Sequence, residues 1–251
     1  MTLSRVFLVS GALSLAVGCS GNKDDDGDGL TNAEEKDLGL DWENPDTDGD
    51  GWLDGEELEF DSDPDDDDEV VEAKRGNPIL NFEVTDHEGD TYMLRDLASQ
   101  GKPILIDTSG AWCYWCHEMA KWLERRPYEN HLEGMNNLRD AVDNGDVLWL
   151  TFISQDSNGG NAGLDVIQQW FDLYPHPEAR VLVDRRQTFA NWQDIQGWPA
   201  TMWVNPDMTI QQYPPEQSTV AMERLSNNLE RALADAEEWR EEQAALAAEE
   251  E

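Results

Sequence analysis

The chain has 251 residues, of which 39% are hydrophobic, 9% aromatic and 29% charged, and its formal net charge is −38. That length allows one domain of ordinary size with appendages, and the apolar share allows a packed core in part of it. So acidic a chain excludes nucleic-acid binding, which needs clustered basic residues to meet phosphates.

Three cysteines leave one over in an exported chain. Cys19 stands alone near the N-terminus, whereas Cys113 and Cys116 are three apart. At the start, Arg5 precedes an apolar run, Val6 to Val17, too short to cross a bilayer as a helix. A basic start, about a dozen apolar residues and small residues at the end describe a secretory signal. The end, Leu15-Ala16-Val17-Gly18-Cys19-Ser20, resembles the lipobox of bacterial lipoproteins, with Ala16 where Leu is commoner. The resemblance implies a signal peptide over residues 1–18 and lipidation of Cys19. The protein is then anchored to a membrane of the cell envelope, periplasmic or at the cell surface, where disulfides persist. Ordinary cleavage with a free Cys19 is the alternative.

Between Asp24 and Glu69 acidic residues crowd the chain and Lys36 is the single base. Two phrases repeat there at an offset of 22 residues: Asp24-Asp25-Asp26-Gly27-Asp28-Gly29-Leu30 and Asp46-Thr47-Asp48-Gly49-Asp50-Gly51-Trp52. Carboxylates at loop positions one, three and five converge on one cation when a glycine at position six lets the chain turn sharply. Asp24, Asp26 and Asp28 before Gly29 fit this spacing, as do Asp46, Asp48 and Asp50 before Gly51. The carbonyls of Leu30 and Trp52 fall at position seven, and Glu35 and Glu57 at position twelve. Such hard oxygen ligands favour Ca²⁺. Asn44-Pro45 and the lipobox stand where the entering helices of an EF-hand would be. The segment resembles bacterial thrombospondin type 3 repeats, with Asn44 to Gly51 matching their Asn-Pro-Asp-Thr-Asp-Gly-Asp-Gly phrase. The resemblance implies a structural calcium-binding stalk over residues 19–69; a solvated acidic spacer is the alternative.

Composition changes after Val70. Phe82-Glu83-Val84 and Tyr92-Met93-Leu94 flank the turn cluster Asp86-His87-Glu88-Gly89, which predicts a hairpin. Pro103 to Asp107 reads as a buried strand, Cys116 to Arg126 as a helix ended by Pro127, and Val147 to Ile153 as a second buried strand. Val166 to Tyr174 has helical periodicity, Arg180 to Val183 is a strand and Gln187 to Ile195 a short helix. Thr201 to Val204 and Ile210 to Tyr213 form a last hairpin, and an acidic helix runs from Val220. Strands alternating with helices predict an α/β sandwich.

Within this order, Trp112-Cys113-Tyr114-Trp115-Cys116-His117 follows a strand and opens a helix. Cysteines three apart in a first helical turn share a face, so their sulfurs bond or separate with little backbone movement. The positive end of the helix favours a thiolate. Cys113, outermost, is the candidate nucleophile and Cys116 the resolving thiol.

The run Ile104-Leu105-Ile106-Asp107, then Ala111-Trp112-Cys113 and Cys116, resembles the strand, loop and helix of thioredoxin. The Trp-Cys-x-Trp-Cys-His form followed by Met119 is similar to envelope thioredoxin-like proteins. Gly197-Trp198-Pro199-Ala200-Thr201 resembles the loop whose cis proline faces the dithiol in that family. The resemblance covers residues from Asn77 to Tyr213. It implies a thioredoxin-like three-layer sandwich over residues 70–217, followed by an acidic helix over residues 218–251. It further implies thiol–disulfide oxidoreductase activity on protein thiols and disulfides, with no organic cofactor and a membrane protein as electron donor or oxidant. Pro199 would present backbone to the substrate, and Trp112, Trp115 and Trp198 would border its groove. Asp107 matches the family's buried carboxylate, which takes the proton of the inner cysteine; a strand-end Asp bonded to backbone is the alternative. Thr108-Ser109-Gly110 replaces the family's aromatic run, and Trp198 is large for the position before the proline, so the substrate is not carried over.

Two other readings compete. Cys113-Tyr-Trp-Cys116-His117 also satisfies the c-type haem pattern. A non-enzymatic, calcium-stabilised binding lipoprotein could instead carry a structural disulfide on this scaffold.

Overall fold

The computed structural model describes residues 23–129, 132–213 and 219–249. The signal segment and Cys19 lie outside the described residues. Two short helices come first, α1 (Asn32–Leu38) and α2 (Asp54–Glu59), each following one of the acidic loops. Thr31 caps α1 through a reciprocal pair with Glu34, and Gly39 ends it in the left-handed region.

The rest is built on a seven-stranded sheet. In chain order come β1 (Glu83–Asp86), β2 (Thr91–Met93), β3 (Ile104–Gly110), α3 (Tyr114–Leu123), α4 (Asn136–Asp143), β4 (Leu148–Gln155) and α5 (Leu164–Leu173). There follow β5 (Ala179–Val183), α6 (Thr188–Trp192), β6 (Ala200–Val204), β7 (Ile210–Gln212), α7 (Val220–Asn227) and α8 (Leu229–Glu249). The spatial order is β2-β1-β5-β4-β3-β6-β7. β3, β4 and β5 run parallel, and β6 returns antiparallel on the other side of β3. A central strand feeding the cysteine helix, flanked by one parallel and one antiparallel neighbour, is the thioredoxin-like arrangement.

β3 is buried along its whole length because it has strands on both edges and covered faces. Leu105 points to the face that α3, α4 and α7 cover with Met119, Trp122, Leu138 and Leu225. Ile104 and Ile106 point to the opposite face, where Val84, Leu94, Leu97 and Phe189 of α6 pack. The layers are therefore helices, sheet, and a second cover made from the Leu94–Gln100 segment and α6. The predicted strands and hairpins appear within a residue or two of the expected bounds, except that β3 runs on to Gly110, three residues past Asp107. The cysteine helix begins earlier than expected, at Tyr114, because Cys113 itself caps it. The C-terminal helix breaks at Asn228 into α7, which packs on the sheet, and the longer α8.

The acidic segment packs against this body. Trp52 is fully buried among Val71, Leu80 and Trp192, with its ring 6.1 Å from that of Trp192. Arg95 lies over Trp52 at 5.0 Å and pairs with Glu56 of α2. Trp192 donates its Nε1–H to the Val71 carbonyl at 2.8 Å.

Candidate functional site

β3 delivers the chain to Gly110, and the Ala111-Trp112 turn leads into α3. Cys113 has extended backbone at the N-cap, and its sulfur accepts the Cys116 N–H at 3.2 Å. A backbone donor aimed at that sulfur, with the helix N-terminus behind it, favours negative charge there. Cys113 and Cys116 form a disulfide with Cα atoms 5.3 Å apart. Cys113 retains a little exposure, 3%, and Cys116 none.

β6 pairs Ala200 with Thr108 of β3, which sets the preceding Trp198–Pro199 bond at the dithiol end of the sheet. That bond is cis. Trp198 packs on the cluster holding both cysteines and meets Trp112 edge-on, with centroids 6.4 Å apart. Trp112, Tyr114 and Trp115 are each about half exposed, at 48, 52 and 53%. Three large exposed aromatics beside one disulfide form an apolar rim. Trp115 pairs with Tyr114 rather than with Trp112.

Asp107 sits mid-strand with its side chain on the cysteine-helix face and is almost fully buried. Burial pushes its carboxyl up to about 7, against hydrogen bonds from Ser109 Oγ at 2.8 Å and Thr151 Oγ1 at 3.4 Å. Its partners are hydroxyls, in place of the backbone bonds that the strand-end reading required.

Several supporting residues were not foreseen. Trp112 donates its Nε1–H to Gln155 Oε1 at 2.7 Å. Gln155 donates to Gln187 at 2.7 Å, and Gln187 to Asn161 at 2.9 Å. This amide relay joins the end of β4 to the segment before α6 and holds Trp112 upright. Thr108 donates to the buried Gln193 at 2.8 Å, which ties the end of α6 to the strand before the cysteines. His117 stacks on Trp170, and its two ring nitrogens meet Tyr174 Oη at 2.8 Å and the Ala111 carbonyl at 3.0 Å. Both ring nitrogens of His117 are therefore engaged. Only a plain glutamine at a strand end, or the histidine after the second cysteine, could have signalled these contacts.

The two acidic loops have the same conformation. Gly27 and Gly49 have φ near 83° and 82°, and Gly29 and Gly51 both have φ 101°. The first-position carboxylates, Asp24 and Asp46, accept the N–H groups at positions four and six. Asp28 and Asp50 accept the N–H of Leu30 and Trp52 at 2.7 and 2.8 Å. Asp24, Asp26 and Asp28 bring carboxylate oxygens within 4.8 Å of one another, as do Asp46, Asp48 and Asp50. Both oxygens of Asp26, Glu35 and Glu57, and one each of Asp48 and Asp50, are buried with no partner among the described residues. Burial first, then neighbouring carboxylates, pushes Glu35 up to about 7 and Glu57 up to about 8. Clustered, buried, unpartnered carboxylates require a counter-charge. Spacing, glycines and orphaned oxygens all fit a hard divalent cation.

No protein-family model and no curated protein sequence matches the chain. Among solved structures, it is similar to the pneumococcal exposed lipoprotein thioredoxin of Streptococcus pneumoniae. That pair is 18% identical with a TM-score of 0.40, over 59% of this chain and 98% of the other. It is also similar to a secreted disulfide oxidoreductase of Mycobacterium tuberculosis, at 19% identity and TM-score 0.41, over 61% and 95%. A third is a thiol:disulfide interchange protein DsbE from Chlorobium tepidum, at 13% identity and TM-score 0.46, over 64% and 98%.

Proposed function

We propose that the protein exchanges thiols and disulfides with protein substrates outside the cytoplasm. The observation that carries this reading is the Cys113–Cys116 pair at the cap and first turn of α3, beside the Trp198–Pro199 loop. In the reducing direction the Cys113 thiolate attacks a substrate disulfide, one substrate thiolate leaves, and a mixed disulfide remains. Cys116 gives its proton to the Asp107 carboxylate and attacks the Cys113 sulfur. The second substrate thiolate departs and the enzyme disulfide closes, so two electrons pass to the substrate. The oxidising direction is the reverse. After reducing a substrate the pair needs a dithiol donor to reset it, and after oxidising one it needs an oxidant; a membrane protein fits either role for an anchored enzyme.

The lipobox-like end of the N-terminal apolar run supports export and anchoring at Cys19. In the acidic segment Asp24, Asp26, Asp28 and Glu35 with the Leu30 carbonyl would hold one calcium ion. Asp46, Asp48, Asp50 and Glu57 with the Trp52 carbonyl would hold a second. The ions would supply structural charge compensation and take no part in exchange.

The deciding experiment is a redox titration of the full chain in glutathione buffers, with free thiols counted by alkylation and mass. A reversible two-electron couple between roughly −120 and −270 mV agrees with exchange, and its position gives the direction. A pair that stays oxidised below about −300 mV is a structural staple and overturns the enzyme reading.

A further inference from the structure

Asp54 stands at position nine of the second loop, yet it is fully buried and its oxygen clusters with carboxylates of the first repeat. One oxygen each from Asp28, Glu35 and Asp54 lie within 4.8 Å of one another, and all three residues are buried. No ion pair among the described residues neutralises them. Both Glu35 oxygens lack any partner. A carboxylate with no exposure, no donor and two carboxylate neighbours is in the position of a ligand facing a cation. Asp54 belongs to the second repeat, whereas Asp28 and Glu35 belong to the first.

We infer that Asp54 is a ligand or immediate counter-charge of the first-repeat calcium ion, so that this site is built from both repeats. The inference rests on the calcium reading above.

Two contacts build the junction. Thr47 donates its N–H and its hydroxyl to the two Asp54 oxygens, at 2.8 and 2.7 Å. Each oxygen keeps a lone pair for another partner, and the carboxylate is held in one orientation. Gly55 donates its N–H to Asp28 Oδ2 at 3.1 Å. A Cβ on Gly55 would lie 2.4 Å from the Asp28 carbonyl oxygen, so only glycine lets the first loop seat on the first turn of α2. That turn serves the first site while Glu57, later in the same helix, serves the second.

The repeat itself offers a comparison. Twenty-two residues before Asp54 stands Asn32, which braces its own loop by exchanging hydrogen bonds with Asp25 at 2.8 and 3.1 Å. Asp54 braces Thr47 in the same way. The bracing position is a neutral amide in the first repeat and a carboxylate in the second, where a preceding cation site exists for the charge to meet.

The test is calorimetric titration of the full chain with calcium alone. Two ions are expected, one weakened by Glu35→Gln and the other by Glu57→Gln. Asp54→Asn keeps the shape and is expected to weaken the Glu35-dependent ion by about tenfold or more, since ligand charge sets affinity in such loops. Added to Glu35→Gln it should cause little further loss. Gly55→Ala, which leaves every loop ligand in place, should weaken the same ion. Limited proteolysis between α2 and β1 checks that each variant keeps the segment docked; should Asp54→Asn undock it, Gly55→Ala decides. Two ions bound as in the wild type, or a loss confined to the Glu57-dependent ion, overturns the inference and leaves the calcium reading standing. Absence of any calcium binding overturns both.

Discussion

Burial of Asp107 makes the stability of the fold depend on pH. Its carboxyl has an ordinary value of 3.8 and rises to about 7 in the folded chain. Below the ordinary value both states hold the proton and the group is neutral in the balance. Between these values the unfolded chain releases a proton that the folded chain keeps, so stability falls as pH rises. Above about 7 the loss is complete and on the order of 4 kcal/mol at most. Asp107→Asn should therefore raise the melting temperature more at pH 8 than at pH 5, by about 5–10 °C at the higher pH. A melting difference that does not widen between those pH values would contradict the burial account. On the proposed mechanism the same variant should slow closure of the enzyme disulfide, because Cys116 would lose its proton acceptor. At the sulfurs, Cys113→Ser should abolish exchange, whereas Cys116→Ser should accumulate mixed disulfides visible on non-reducing gels. Equal activity in both would remove the division of labour between them.

Among the elements, β4 and α6 act on the site without touching the sulfurs. Gln155 ends β4 and holds the Trp112 indole, so Gln155→Ala should let that ring swing. Exchange with a disulfide peptide should then fall on the order of tenfold while the redox potential stays within a few millivolts of wild type. A shifted potential with unchanged peptide kinetics would assign Gln155 to the dithiol instead of the rim. The strands around the cysteines were legible because Ile104 to Ile106 is an unbroken apolar run and Val147 to Ile153 is interrupted only at Thr151, and the helix because it follows a strand and stops before Pro127. The conformation of the acidic loops was legible because their carboxylates and glycines recur at a fixed short spacing. α4 was not: Asn136-Asn137 and Arg139-Asp140 hide the Leu138, Ala141 and Val142 stripe that reaches the core. The amide relay escaped notice because Gln155, Gln187 and Asn161 meet only once the sheet has formed. Asp54 was passed over for the same reason, since its neighbours Asp28 and Glu35 belong to another loop.

Over the whole molecule, Trp52 joins the acidic segment to the redox body, because its carbonyl sits in a loop and its indole in the core. If the loops hold calcium as proposed, a chelator should then lower the melting temperature of the main transition as well as loosen the loops. At a hundredfold excess over its dissociation constant each ion contributes about 2.7 kcal/mol, or about 5 °C for a body of this size. Scanning calorimetry with and without chelator checks this. A separate low-temperature transition with the main one unmoved would mean that the two parts melt independently. The seat of Trp52 also bears on where the chain can be cut. Residues 70–217 are set off by composition, but a fragment starting there would bare Leu80 and the Trp192 face at the place the indole now fills. Such a fragment would carry a sticky apolar patch beside Arg95, whose guanidinium would have lost Glu56. It should pellet or self-associate at concentrations where the intact chain stays dispersed, and a protease nick near residue 62 should have the same effect once the severed piece drifts away.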